Sequence, residues 1–203
     1  AGFARKAAEV GATPVQAAGL TRDAVMRIRG HLTAPLATPS PARSRQATRD
    51  RALISLLACA GLRRSEAARL TWAQIAAQPD GSGRLTIPRS KTDPAGQGAV
   101  VALTSAAAAD LEDWTAAQGA GRTGPVFGLS DRQIARRVGA VAKAAGLGPG
   151  FTGHSGRVGM AQAMTAAGAP VAVVARQGRC WSTERMVLHS TRAQAAGDAL
   201  PYL

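Results

Sequence analysis

Glycines at positions 119, 121, 146, 148, 150, 168 and 178 cut the second half of this chain into short pieces, and each piece carries helical apolar spacing. The spacing predicts helices over about 104–118, 130–145, 154–167, 170–177 and 182–195, with Pro170 in a first turn, where a missing N–H is no loss. The first half continues in kind. Thr21 is placed to cap a helix over roughly 22–32, and Leu53, Ile54, Leu56 and Leu57 supply the apolar face of another over about 46–60, which Gly61 stops. Pro35, Pro39 and Pro41 predict a loop over 33–44, and 64–70 reads as a short helix. Only 71–77, 84–88 and 99–103 have extended character. The expected fold class is therefore mainly α with a small three-stranded antiparallel β-sheet, with Lys91 in the loop between the last two strands. There is no βαβ repetition and no glycine-rich loop followed by lysine, so nucleotide hydrolysis has no support.

A chain of 203 residues can bury one substantial core, so one domain with an arm is enough. Residues 1–20 read as an approach segment and 21–203 as the domain, ending in an apolar tail from about 190. Basic residues outnumber acidic ones 25 to 12, for a formal charge of +13. Only Lys6, Lys91 and Lys143 are lysines, so the charge is carried by arginine, whose planar fork suits phosphate oxygens. A polyanionic partner is expected. Three Trp, three Phe and one Tyr are too few for the stacking platform of a single-strand binder, which favours duplex DNA. No apolar run approaches the ~20 residues of a membrane span, and no signal-peptide core opens the chain. A cytoplasmic or nucleoid setting is the default expectation. Cys59 lies in an apolar run and Cys180 has no companion, so neither suggests a metal site or a secreted disulfide framework.

Several residues have the chemistry for a phosphate site, and each also has a plainer reading. Arg63 opens a helix whose first turn holds Glu66, either as a buried, oriented pair or as a surface ion pair of a few tenths of a kcal/mol. His154 and Arg157 stand three apart after Thr152-Gly153, where free backbone donors and both side chains could meet one anion. A histidine capping a core helix is the rival. Lys91 alone reads as a solvated turn lysine. Trp72 and Trp114 read as packing, whereas Trp181 precedes a candidate cap, Ser182, and could offer its indole N–H. Arg64, Arg89, Arg132, Arg136, Arg137 and Arg176 are candidates for further phosphate or base-edge contacts.

Taken in order, Gly61-Leu62-Arg63-Arg64-Ser65-Glu66-Ala67-Ala68-Arg69-Leu70, Ser90-Lys91-Thr92, Gly153-His154-Ser155-Gly156-Arg157-Val158-Gly159 and Trp181 closely resemble the tyrosine recombinase (phage integrase) family, most nearly its Cre-like branch. The resemblance runs from about residue 15 and corresponds to that family's C-terminal catalytic domain. It implies that Arg63 and Arg157 clamp the scissile phosphate, with His154 and Trp181 hydrogen-bonding to it. Lys91 would protonate the departing 5′-oxygen, and Glu66 would support Arg63. These roles make physical sense, since preorganised arginines stabilise charge gathering on the equatorial oxygens and an alkoxide leaving group needs a proton donor. A covalent protein–DNA intermediate conserves the phosphodiester energy, so the reaction calls for no cofactor, ATP or metal.

The chain departs from the family where the nucleophile belongs. Nine residues after Trp181 the family has tyrosine, and this chain has Ser190, flanked by His189 and Thr191. The sole tyrosine, Tyr202, lies twelve residues further on, and a misplacement of even ~1 Å can cost ~100-fold. A serine reaches less far than a phenol and needs a local base. The expectation is a recombinase fold that grips duplex DNA without cutting it. The family's N-terminal helical domain, which closes over the other face of the duplex, is also not among these residues. In the family the C-terminal tail, here the apolar segment from about 190, docks on a neighbouring protomer to arrange a tetramer. The competing functions are an active recombinase and a non-catalytic regulator whose helices near 154–177 imitate a helix-turn-helix.

Overall fold

The computed structural model describes residues 16–34, 40–88, 98–119 and 121–179. The expected helix at 182–195, the loop carrying Lys91, and the apolar tail lie outside the described residues. Seven helices and one sheet are described. In chain order they are α1 (Arg22–Thr33), α2 (Pro41–Ala60), α3 (Arg64–Arg69), β1 (Ile75–Ala77), β2 (Gly83–Ile87), β3 (Ala99–Leu103), α4 (Ser105–Gln118), α5 (Asp131–Ala144), α6 (Ser155–Ala166) and α7 (Val171–Gly178). The fold class is the expected one, mainly helical with a three-stranded antiparallel sheet in the order β1-β2-β3.

Helix α2 is the axis of the molecule, packed against α1, α4, α6 and β3. Its second half is buried all round, through Ala52, Leu53, Ile54, Ser55, Leu56, Leu57 and Ala60, the pattern of a helix enclosed by other elements. In the sheet, Leu85 stands opposite both Ile75 and Val101. Leu85, Ile87, Val101 and Leu103 face the core while Arg84, Thr86 and Ala102 face outward, the period-two alternation of a half-covered sheet. Trp72 and Trp114 are buried packing residues as expected, and the Trp114 indole N–H donates to the Val126 carbonyl at 2.7 Å.

Two boundaries differ from the sequence reading. Residues 41–44 are not loop: α2 already starts at Pro41, because a proline with preset φ is well suited to a first helical turn. The stretch 71–77 is not one strand, since 72–74 form a 3-10 turn before β1. Gln74 Oε1 accepts from the Thr71 N–H at 2.8 Å and its hydroxyl at 3.0 Å, and this local cap wins over extension. Elsewhere Thr21 caps as read, accepting from the Ala24 N–H, while Thr104, expected as the first helical residue, is instead the cap of α4 and accepts from the Ala107 N–H. Gly61 ends α2 at φ 55°, left-handed and pressed on Met160, whose sulfur would lie 2.6 Å from a Cβ.

Candidate active site

The short turn Gly61–Arg63 lets α3 start four residues after α2 ends, and Arg63 occupies the N-cap of α3. Its backbone N–H donates to Glu66 Oε2 at 2.8 Å and its Nη1 to Oε1 at 2.7 Å. The Glu66 side chain is only 6 % exposed, so the pair is the buried, oriented one and not a surface ion pair. Burial pushes the Glu66 carboxyl up, but the charge of Arg179 together with the hydrogen bonds and charge of Arg63 hold it below its ordinary value.

Arg157 enters from α6. It is buried and its Nη1 donates to the Gly61 carbonyl at 3.3 Å. The start of α6 is built by Thr152, whose N–H donates to Ser155 Oγ at 2.8 Å while its hydroxyl accepts from the His154 N–H at 3.2 Å. That turn leaves the His154 side chain exposed. Arg63, Arg64, Arg136 and His154 line one open groove of about 650 Å³, with Phe151 and the Thr152–Gly153 turn between them. The fold thus brings Arg63, Glu66 and Arg157 around the end of α2 and sets His154 on the same groove as Arg63. Lys91, Arg89, Trp181 and Ser190 lie outside the described residues.

The remaining candidate arginines divide. Arg136 faces the groove, and Arg132 and Arg176 are exposed. Arg64 makes an exposed 3.6 Å pair with Asp131, a contact of little stabilising weight. Arg137 is different: its Nε and Nη2 both donate to Asp50, a buried carboxylate of α2. Its guanidinium is committed to holding α5 on α2.

Arg179 is the residue that sequence reasoning missed. It follows α7 at φ 55°, the only non-glycine with positive φ among the described residues, and its side chain is 1 % exposed. Nη1 donates to the Ala60 carbonyl at 2.9 Å, and Nη2 to the Gly61 carbonyl at 3.1 Å and Glu66 Oε2 at 2.7 Å. Burial lowers its pKa, Glu66 opposes this, and the neighbouring charges of Arg157 and Arg63 lower it further. Its one sequence signal was an arginine just after Gly178, where a helix stop was expected. Next to it, Gln177 clasps the sheet edge, donating to the Ala102 carbonyl at 2.9 Å and accepting from the Ala102 N–H at 3.3 Å.

Among the described residues no group of His, Cys, Asp or Glu gathers as metal ligands would, and no helix is long and apolar enough to cross a membrane. The arrangement is a set of guanidiniums held at fixed positions beside an exposed histidine, suited to a tetrahedral oxyanion.

The phage integrase family model matches residues 20–190. No curated protein matches the chain. Among solved structures, the XerH site-specific recombinase bound to palindromic difH substrate in a post-cleavage complex superposes with a TM-score of 0.71 at 17 % identity, covering 92 % of this chain and 53 % of its own. The XerA recombinase gives 0.66 at 16 % identity, over 90 % and 66 %. A lambda integrase (75–356) dimer bound to a COC′ core site gives 0.60 at 18 % identity, over 92 % and 68 %. At these identities the likeness is one of fold, and the chain spans about half the length of the XerH recombinase.

Proposed function

The chain belongs to the phage integrase family, and from that membership we propose that it is the catalytic domain of a tyrosine recombinase that grips the scissile phosphate of duplex DNA but does not cleave it. The observation that carries the reading is the joint placement of Arg63 and Arg157 at the end of α2, each fixed by buried acceptors. Fixed guanidiniums need no reorganisation as charge develops on the phosphate, so they favour the transition state over the ground state. His154, on the groove beside Arg63, hydrogen-bonds a third oxygen. Lys91 would be the proton donor for the 5′-oxygen were a nucleophile present, and Trp181 donates its indole N–H to the phosphate.

Strand cleavage then needs a nucleophile in line with the leaving oxygen, and position 190 holds serine. Ser190 lacks the reach and acidity of a phenol. Phosphate recognition and strand cleavage are therefore separated in this chain. The formal charge of +13 supports duplex DNA as the partner. The domain runs over 21–203, behind an approach segment at 1–20, and its apolar tail from about 190 docks on a second copy on DNA, as it does in the family's tetramers.

The test is a denaturing gel of the chain and of Ser190→Tyr, each incubated with a nicked suicide duplex carrying the crossover site. The chain should shift the duplex on a native gel and leave no adduct after denaturation, whereas Ser190→Tyr should leave one. A covalent adduct formed by the serine chain would overturn the reading.

A further inference from the structure

We propose that Arg179 is a positioning residue that sets both phosphate-facing arginines, an inference that rests on the function proposed above. Arg63 and Arg157 come from distant parts of the chain and have no direct hydrogen bond to each other among those described. What joins them is Arg179. Its Nη2 shares Glu66 with Arg63 and shares the Gly61 carbonyl with Arg157. Its Nη1 reaches the Ala60 carbonyl, so a single planar fork fixes the last turn of α2, the cap of α3 and the end of α7. A lysine here would replace the fork by a point charge.

The backbone of Arg179 argues the same way. A non-glycine is strained in the left-handed region, and a glycine directly before it would have taken that conformation freely. Helix α7 instead runs through Gly178 and places the arginine at φ 55°. This turn directs the side chain into the protein, 113 positions away from its carboxylate partner. Three guanidiniums then gather at the end of α2, Arg63 and Arg179 on Glu66 and Arg157 on the Gly61 carbonyl, close enough that Arg157 and Arg63 both depress the Arg179 pKa. Their mutual repulsion would scatter flexible side chains; held by buried acceptors, they keep a fixed cationic field for an incoming oxyanion.

The experiment follows the Arg63 and Arg157 guanidinium N–H signals by NMR while inorganic phosphate is titrated into the chain, Arg179→Lys and Arg179→Met, with far-UV circular dichroism as the measure of folding. In the unsubstituted chain phosphate should move both signals. In folded Arg179→Lys both signals should already be displaced and phosphate should bind about tenfold more weakly, as the loss of one charge-assisted hydrogen bond would give; Arg179→Met should be weaker again. A folded variant with unmoved signals and full phosphate affinity would show that Arg179 only fills space, and unfolding of both variants would make it a plain structural residue; either result overturns the proposal. If phosphate moves neither signal in the unsubstituted chain, the functional reading falls first and this one with it.

Discussion

Gly156 of α6 lies so close to Leu57 of α2 that a Cβ placed on it would stand 2.6 Å from the Leu57 carbonyl oxygen. The next residue is Arg157, so this backbone contact sets how deeply that arginine reaches toward Gly61. The atoms in the way are backbone and cannot turn aside.

Gly156→Ala should therefore destabilise the fold by about 2–3 kcal/mol, in the range of overpacked core sites. Gly30, within α1, has nothing within 4 Å of a Cβ and no positive φ. Gly30→Ala should stabilise by about 0.5–1 kcal/mol through helix propensity. Urea unfolding of the two variants beside the parent chain checks both signs. Equal effects would mean that the tight approach at Gly156 is not present in solution.

Asp110 links three elements, accepting from Arg29 of α1 and, at 2.5 Å, from Ser55 of α2, with Arg51 Nε 3.1 Å away. The carboxylate is 3 % exposed, and its arginine partners are 27 % and 17 % exposed. Asp110→Ala leaves two guanidiniums facing each other, at a cost of about 2–3 kcal/mol, below the fully buried case because water still reaches the arginines. Glu112, paired with Arg122 at the surface, should lose less than about 0.5 kcal/mol on substitution by alanine. Chemical denaturation of the two variants reads the contrast. Comparable losses would remove Asp110 from the structural core.

Glu66 gives the fold an acid limb whose sign is fixed. Its folded pKa lies below the ordinary 4.5, so the unfolded chain takes up the proton first as pH falls. The stabilisation is complete above about that ordinary value and disappears as pH drops through the folded one. Glu66→Gln, which mimics the protonated state, should melt well below the parent at pH 7, and the gap should narrow as pH falls past the ordinary carboxylate value of 4.5. Thermal melts across that range test it. A gap that widened on acidification would mean that the carboxylate is not favoured by its arginines.

Much of this was legible in the chain because local signals and tertiary needs agreed. Thr21 and Gly61 mark helix ends by their own conformational preferences, and β2 and β3 alternate as half-buried strands must. The Arg63–Glu66 pair was visible as a spacing, although only packing decided that it is buried. Arg179 was not legible. Its role depends on a positive φ that arginine does not advertise and on carbonyls of Ala60 and Gly61 far away in sequence. Arg137 failed to declare itself for a related reason, since a groove arginine and one bound to buried Asp50 look alike in a basic helix.

That ambiguity leads to the last prediction, because a charge of +13 does not make every arginine a DNA contact. Each phosphate contact releases counterions and adds about 0.9 to the steepness of log affinity against log salt. Arg132 and Arg136 are exposed, and Arg136 faces the groove. Alanine at either should flatten the slope by about 0.9 without loss of stability. Arg137 and Arg29 hold buried carboxylates across helix interfaces, so alanine there should lower stability and leave the slope of the folded protein nearly unchanged. Fluorescence anisotropy with one labelled duplex over a salt series, paired with a melt of each variant, separates the two classes. If Arg137→Ala flattened the slope as much as Arg136→Ala does, its ion pair with Asp50 would have to open on DNA.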